Sequence, residues 1–264
     1  MKKYFVIGNP IEHSLSPKLH NFWIKSSNLN AVYEKKKLEE YEIEDLIRDI
    51  KDGKLNGVNI TVPYKRKVIP FIDQLSKDAK LTQSVNTIHL KNNKIFGDNT
   101  DIEGFGLSIK NANFDIQGKK VLILGAGGVV PSIISSLNQM KVSQISVCNR
   151  TKTKAENLKN IFQNLTILNW GEVVHADMII NATSIGLRAN DKIDLNFEKF
   201  GNVKFFYDVI YNPSETNFLK TGKKLGCKTE NGKMMFIYQA SASFKIWHNI
   251  SPKIDEDLIK FLNK

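Results

Sequence analysis

We base the fold prediction for this chain on the segment Lys120-Val121-Leu122-Ile123-Leu124-Gly125-Ala126-Gly127-Gly128. Lys120 and the four apolar residues after it form a segment of strand length, and the apolar positions of a helix follow at residues 133–140. A glycine turn between a strand and a helix lets backbone N–H groups at the helix N-terminus approach a pyrophosphate. Further buried strands are expected at 145–148, 178–181 and 205–211. This alternation predicts parallel βαβ units of the dinucleotide-binding kind.

The glycine turn departs from the usual fingerprint at its third glycine, because Val130 occupies that place and Pro131 follows it. A valine there is expected to hold the helix and the strand farther apart, and a proline fits a helix only in the first turn. The alternative interpretation of the turn is a plain glycine-rich connector. The case for a nucleotide therefore also depends on the strand that comes next.

The end of that strand indicates which cofactor binds. An NAD site places a carboxylate about 20 residues after the first glycine, where it accepts hydrogen bonds from the ribose hydroxyls. This chain has Cys148-Asn149-Arg150-Thr151 at that place, followed by Lys152 and Lys154, with a helix expected at 152–162. A guanidinium can bind a 2′-phosphate through paired, charge-assisted hydrogen bonds. The residues favour NADP; the alternative is that Arg150 is a solvated residue at a strand end.

Strands and helices also alternate through the first hundred residues. Ser16 is expected to cap a helix that has Pro17 at its first position. The remaining elements expected here are strands at 4–8, 31–37 and 57–62, a helix at 39–51, and a hairpin of 85–90 with 94–96. A second unit begins after Gly118, and helices are expected at 232–248 and 255–262. The pattern predicts an α/β protein.

Polar side chains recur where the strands of the first half end. They are Ser14, Ser16, Asn59, Thr61, Lys65, Asn86, Thr87 and the run Asp98-Asn99-Thr100-Asp101. Ligands of α/β sheets bind beyond the carboxyl ends of strands. Each residue alone has a structural explanation, such as a helix cap for Asp101 or a turn for Asn86. Their recurrence predicts a pocket lined by hydroxyls and amides.

In order and spacing, the motifs of this chain resemble those of the shikimate dehydrogenase family over nearly its whole length. They are Ile7-Gly8-Asn9-Pro10, His13-Ser14-Leu15-Ser16-Pro17, His20-Asn21, Asn59-Ile60-Thr61-Val62-Pro63-Tyr64-Lys65, Val85-Asn86-Thr87, Gly97-Asp98-Asn99-Thr100-Asp101, Asn149-Arg150-Thr151, Asn181-Ala182-Thr183-Ser184-Ile185-Gly186, Gly232-Lys233-Met234-Met235, and Gln239-Ala240 with Phe244 and Trp247. The resemblance implies reversible, NADPH-dependent reduction of 3-dehydroshikimate to shikimate in chorismate and aromatic amino acid biosynthesis. It also implies two domains, with a substrate domain at 1–101, a Rossmann-type NADP domain at 102–230, and C-terminal helices at 231–264 that complete the substrate domain.

The resemblance assigns roles to individual residues. Lys65 and Asp101 are implied to be the catalytic pair. The implied substrate-binding residues are Ser14, Ser16, Asn59, Thr61, Asn86, Tyr211 and Gln239. The implied cofactor-binding residues are Gly125, Ala126, Gly127, Gly128, Val129, Asn149, Arg150, Thr151, Lys154, Ala182, Thr183, Val209, Gly232 and Met235. Near Val130 and Pro131 the chain departs from the family, which implies one fewer phosphate contact.

Composition excludes several protein classes. The 264 residues are 41% hydrophobic and 25% charged, which is ordinary for a globular protein and too apolar for a disordered one. The net charge is +11, but only four of the 38 basic residues are arginine, which argues against a nucleic-acid reader. No apolar run approaches membrane-spanning length, and the N-terminal apolar stretch is too short for a signal peptide. Two cysteines, Cys148 and Cys227, provide no disulfide framework or metal-ligand spacing.

We therefore expect a cytoplasmic enzyme, a monomer or a homodimer, with a small-molecule substrate, no metal, and no nucleic-acid or membrane partner. The main alternative is a quinate/shikimate dehydrogenase with broader substrate and cofactor use. Arg150 argues against the use of NAD by such an enzyme. A folate-type methylene dehydrogenase/cyclohydrolase would share the two-domain layout but has no need of the Ser14 and Ser16 pair. A non-enzymatic possibility is an NADP-binding regulator with a decayed site.

Overall fold

The computed structural model describes residues 1–263, and these residues form two compact units. The first unit comprises Met1–Gly104 together with the residues from Ile237 onward, and the second unit comprises Phe105–Phe236. The strands are β1 (Lys2–Gly8), β2 (Ala31–Lys37), β3 (Gly57–Ile60), β4 (Gln74–Leu75), β5 (Thr87–Lys91), β6 (Lys94–Asp98), β7 (Lys120–Leu124), β8 (Gln144–Cys148), β9 (Leu165–Leu168), β10 (Met178–Asn181), β11 (Phe205–Asp208) and β12 (Lys228–Asn231). The helices are α1 (Ser16–Ser26), α2 (Ile43–Lys51), α3 (Lys77–Thr82), α4 (Asp101–Asn111), α5 (Val130–Gln139), α6 (Lys152–Glu156), α7 (Asn217–Lys224), α8 (Lys233–His248) and α9 (Glu256–Asn263).

The second unit contains a parallel sheet in the order β9-β8-β7-β10-β11-β12. Both of its faces are buried, because Val121 and Ile123 pack into one apolar cluster while Leu122 and Leu124 pack into another. The strand order reverses between β7 and β10, so the two halves of the sheet leave a crevice beyond the carboxyl ends of these strands. This is the order of a dinucleotide-binding sheet, and it confirms the predicted fold class.

The first unit contains a mixed sheet in the order β2-β1-β3-β5-β6-β4. β1 runs parallel to β2 and β3, whereas β5 runs antiparallel to both of its neighbours. As a result, Asn59 at the end of β3 pairs with Thr87 at the start of β5, and Thr87 pairs with Asp98 at the end of β6. Three segments that are far apart in sequence thus bring polar residues to one edge of this sheet.

Several sequence predictions need correction. Helix α1 begins at Ser16 with Leu15 in the cap position, so Ser16 is not the cap that we predicted. Helix α6 ends at Glu156 and continues only as a 3-10 turn, Asn157–Asn160. Strand β12 was not predicted, because this edge strand consists of Lys-Thr-Glu-Asn and has no apolar run. Pro131 lies in the first turn of α5, as predicted.

Candidate active site

The glycine turn after β7 combines a crowded residue with an open one. Gly125 has φ of +112°, and a Cβ atom there would lie 2.7 Å from the carbonyl oxygen of Ala182, which follows β10. Its N–H donates to the carbonyl oxygen of Cys148 at the end of β8. At Gly128, in contrast, an added Cβ would meet nothing within 4 Å. Gly125 therefore closes the turn against the sheet, while Gly128 leaves room for a ligand group.

We expect this difference to separate two alanine variants. Gly125→Ala combines a left-handed backbone with a close contact, so it should lower the free energy of unfolding by about 1–3 kcal/mol. Gly128→Ala should change that free energy by no more than about 0.5 kcal/mol, because its methyl group enters open space. Urea unfolding of both variants checks the expectation, and equal stability of the two would contradict the assigned geometry.

Asp208 was missed by the sequence analysis, although it holds together the loops that follow β10 and β11. Its fully buried carboxylate accepts hydrogen bonds from Thr216 Oγ1 (2.6 Å), Ile210 N (3.0 Å) and Asn181 Nδ2 (3.1 Å). Burial raises the pKa of Asp208, and these three hydrogen bonds act in the opposite direction. In the sequence, the carboxylate directly after the apolar run Phe205-Phe206-Tyr207 could have indicated a residue at the end of a buried strand.

The same loops bring together several predicted cofactor-binding residues. Thr183 Oγ1 donates to Asn181 Oδ1 at 2.7 Å. Gly232 lies so close to Val209 that an added Cβ would collide with the carbonyl oxygen of Val209. Met235 is buried in the apolar cluster that Val209 flanks. These residues form a closely packed rim at the carboxyl ends of the central strands.

The end of β8 carries the predicted phosphate-binding residues. Asn149 Nδ2 donates to the carbonyl oxygen of Thr151 at 2.8 Å, which fixes the turn into α6. Arg150 and Lys154 are exposed, and among residues 1–263 no carboxylate forms an ion pair with Arg150. Arg150 is thus exposed just after β8, the strand that pairs with β7, and the residues present fit a 2′-phosphorylated dinucleotide.

The central observation in the first unit is an ion pair between Lys65 and Asp101. Lys65 Nζ lies 2.5 Å from Asp101 Oδ2, and the two side chains are only 12% and 7% exposed. Asp101 is the first residue of α4, and its N–H donates to Asn99 Oδ1. The Lys65 carbonyl oxygen accepts from Val85 N, which ties the lysine loop to the start of the β5 segment.

Asn86 joins this ion pair to the rest of the sheet edge. Its Nδ2 lies 3.0 Å from Asp101 Oδ1 and 3.4 Å from Gln239 Oε1 on α8. Its Oδ1 accepts from Thr100 N at 2.8 Å. The structure therefore brings four predicted site residues into one cluster, which we call the catalytic cluster: Lys65, Asn86, Asp101 and Gln239.

The predicted substrate-binding hydroxyls lie on two segments, Ser14 and Ser16 between β1 and the first turn of α1, and Thr61 directly after β3. Ser14 Oγ accepts from Ser16 N at 3.3 Å, and the Ser16 side chain hydrogen bonds with Tyr33. Burial raises the pKa of Tyr33 well above its usual range, against the effect of that bond, so its hydroxyl stays protonated and donates to Asn59 Oδ1 at 2.7 Å. Thr61 packs its methyl group against Gly8.

Two predicted residues differ from the rest in their position. Asn59 is buried within the protein's own hydrogen bonds, since Nδ2 has acceptors on Asn86, Thr87 and Ser243. Tyr211 belongs to the second unit, where its ring stacks on Phe236 at 4.7 Å between centroids. The sequence analysis also missed Tyr33, because a tyrosine in a strand gives no sign of a buried hydroxyl contact.

A buried ammonium beside a fixed carboxylate can donate a proton to an oxygen atom and take it back. The hydroxyls and amides around it can hold a polyhydroxylated ligand. Among the described residues, no three His, Cys, Asp or Glu side chains converge as metal ligands. Nor does any helix within residues 1–263 have the length and apolarity that a membrane span requires.

Comparison with known proteins gives consistent matches over the whole chain. A family model described as the shikimate dehydrogenase substrate binding domain matches residues 6–88, and one described as shikimate / quinate 5-dehydrogenase matches residues 108–192. The chain is 58% identical to shikimate dehydrogenase (NADP(+)) of Pelagibacter ubique (strain HTCC1062), over 100% of both chains.

Solved structures agree with this. The structure of shikimate dehydrogenase from Aquifex aeolicus matches with a TM-score of 0.89 and 32% identity, covering 100% of this chain and 98% of that one. The shikimate 5-dehydrogenase of Thermus thermophilus, solved in complex with NADP(H) and shikimate, matches with a TM-score of 0.90 and 28% identity, covering 100% and 99%.

Proposed function

The chain belongs to the shikimate dehydrogenase family, and on that premise we propose which of its residues bind each reactant and which move the proton. The enzyme is an NADP-dependent oxidoreductase that reversibly reduces 3-dehydroshikimate to shikimate, in chorismate and aromatic amino acid biosynthesis. The observation that carries our assignment is the buried pair of Lys65 and Asp101, with Asn86 on the second carboxylate oxygen.

The first unit binds the substrate. Ser14, Ser16 and Thr61 supply hydroxyls, and Asn86 and Gln239 supply amides beside the ion pair. We assign the substrate carboxylate to Ser14 and Ser16, and the ring hydroxyls to Thr61, Asn86, Asp101 and Gln239. Hydroxyls and amides both donate and accept, so an analogue that lacks a ring hydroxyl leaves a group unpaired, at a cost of about 1–3 kcal/mol.

The second unit binds the cofactor. Gly125 to Val129 would hold the pyrophosphate, Asn149 to Thr151 with Lys154 the 2′-phosphate, and Ala182, Thr183, Val209, Gly232 and Met235 the nicotinamide side. When bound, NADPH supplies the hydride that reduces the carbonyl carbon.

Lys65 donates the proton that turns the carbonyl oxygen into an alcohol, and it takes that proton back in the reverse direction. Asp101 holds the Lys65 ammonium in place through Oδ2, while Asn86 donates to Oδ1. Because both carboxylate oxygens are engaged, the carboxylate cannot rotate without losing two hydrogen bonds. The position of the Lys65 ammonium is therefore fixed before the substrate binds.

The activity is tested by following the loss of NADPH absorbance with 3-dehydroshikimate, and then repeating the assay with NADH. We expect turnover with NADPH and a strong preference for it over NADH. Oxidation of quinate at a rate comparable to shikimate would indicate the broader quinate/shikimate activity instead. A cytoplasmic location, the absence of nucleic-acid and membrane partners, and the choice between monomer and homodimer stay predictions from the sequence.

Arg150 gives the cofactor proposal its own test. Arg150→Gln removes charge-assisted hydrogen bonds, so the KM for NADPH should rise by about 10- to 100-fold while the KM for NADH stays the same. The matched control is Arg48→Gln, which removes an exposed arginine of the first unit and should leave both values unchanged. If Arg150→Gln weakened NADH and NADPH equally, the 2′-phosphate assignment would fail.

A further inference from the structure

The hydroxyl of Ser243 on α8 is fully buried and lies among three polar side chains of the first unit. Its Oγ is 3.0 Å from Asn59 Nδ2, 2.8 Å from Thr87 Oγ1 and 3.2 Å from Thr100 Oγ1. These three partners lie on β3, on β5 and directly before α4. One hydroxyl thus connects helix α8 to three segments that contact Asn86.

The number of hydrogen-bond donors and acceptors around Ser243 shows how its hydroxyl affects the neighbouring threonines and Asn86. A serine hydroxyl has one donor and two acceptor positions. The Ser243 proton can be donated to the carbonyl oxygen of Gln239 at 3.1 Å, which leaves its oxygen to accept from Asn59 and from one threonine. The second threonine then donates to Asn86 Oδ1, which lies 3.0 Å from Thr87 Oγ1 and 3.2 Å from Thr100 Oγ1. Thr100 Oγ1 in turn accepts from Asn86 Nδ2 at 2.9 Å.

Without the Ser243 oxygen, both threonine hydroxyls lose their alternative acceptor and compete for Asn86 Oδ1. That oxygen already accepts from Thr100 N, so Asn86 would have more donors than it can accommodate. A turn of the Asn86 amide would move Nδ2 away from Asp101 Oδ1, its partner at 3.0 Å. The Asp101 carboxylate, and with it the Lys65 ammonium, would lose their fixed direction.

We propose that Ser243 is a positioning residue for the proton-transfer pair, acting through Thr87, Thr100 and Asn86 on Asp101. This inference rests on the proposed roles of Lys65 and Asp101. Thr87 and Thr100 connect the Ser243 hydroxyl to Asn86, so the effect of Ser243 on Asp101 passes through the side chains of these residues.

The decisive variant is Ser243→Ala, which removes the hydroxyl and leaves a gap of one atom. We expect kcat to fall about tenfold, while the KM for 3-dehydroshikimate stays within about twofold of the wild-type value. A general loosening of the first unit would raise that KM as well, because the substrate binds in this unit. Ser243→Cys fills the space with a weak hydrogen-bonding group, so it should show the same fall in kcat.

The matched control is Ser108→Ala in the second unit. Ser108 is also fully buried, and its hydroxyl contacts Tyr207 OH at 2.8 Å and the carbonyl oxygen of Phe105 at 2.7 Å. Its loss should lower stability while leaving kcat unchanged. NADPH binding and circular dichroism of all variants establish that they are folded.

Two results would overturn the inference. One is a kcat for Ser243→Ala within about twofold of wild type, and the second is full recovery of kcat in Ser243→Cys, which would show that packing alone matters. Failure of the proposed function is a different observation, because it appears in the wild-type enzyme as no turnover of 3-dehydroshikimate.

Discussion

Lys65→Met should lower kcat by about a thousandfold and leave the affinity for NADPH unchanged. The methionine side chain has a similar length but cannot donate a proton, and a positioned acid–base group contributes about 10²- to 10⁴-fold to the rate. The KM for 3-dehydroshikimate should change little, because hydroxyls and amides hold the substrate. Steady-state kinetics in both directions, together with NADPH titration of the variant, measures these values.

Lys67→Met is the control that the same loop offers. Lys67 pairs with Glu40, and its side chain is 42% exposed, compared with 12% for Lys65. Removal of an exposed ion pair of this kind costs little, so this variant should keep wild-type kcat. Comparable rates in Lys65→Met and the wild type would remove Lys65 from the mechanism, whereas a loss in both variants would point to the loop instead.

His20→Leu should make the enzyme markedly more resistant to acid. His20 is 1% exposed, its ring stacks on Tyr33 at 4.1 Å, and neither ring nitrogen has a hydrogen-bond partner. Burial, with a smaller contribution from the charge of His248, lowers the pKa of His20 from 6.5 to about 3. The folded protein therefore excludes a proton that the unfolded chain accepts.

The sign of the effect follows from this difference. Above pH 6.5, His20 is neutral in both the folded and the unfolded state, and its contribution to stability is fully present. This contribution is lost as the pH falls from 6.5 toward about 3, because only the unfolded chain then binds the proton. Each pH unit in that window removes about 1.4 kcal/mol of stability. The difference in unfolding free energy between His20→Leu and the wild type should therefore depend on pH. At about pH 4.5 it should favour the variant by about 2–3 kcal/mol more than it does at about pH 8.

Urea unfolding followed by tryptophan fluorescence at these two pH values tests this expectation, since Trp23 and Trp247 both contact His20. Phe244→Leu is the control, because it loosens the same aromatic cluster without removing a titrating group. Its stability should parallel that of the wild type with pH. If His20→Leu also paralleled the wild type, protonation of His20 would not cause the acid sensitivity.

Much of the second unit could be predicted from local pattern alone. The run at 121–124 is apolar on both faces because a parallel sheet is covered on both sides, and the glycine turn follows from the close approach of Gly125 to Ala182. The polar edge strand β12 could not be predicted, since its four residues are polar and none of them is fully buried.

Residue types in a fixed order along the chain were enough to establish the fold class and the family, and to predict the catalytic pair. The three-dimensional structure was needed to show that Tyr33 and Ser243 fix polar groups of the first unit, that Asp208 fixes loops of the second unit, and that neither ring nitrogen of His20 has a hydrogen-bond partner. In sequence, each of these is an ordinary residue of a strand or a helix. Its role comes from a hydrogen bond, or the lack of one, with a segment distant along the chain, and such contacts exist only after the chain has folded.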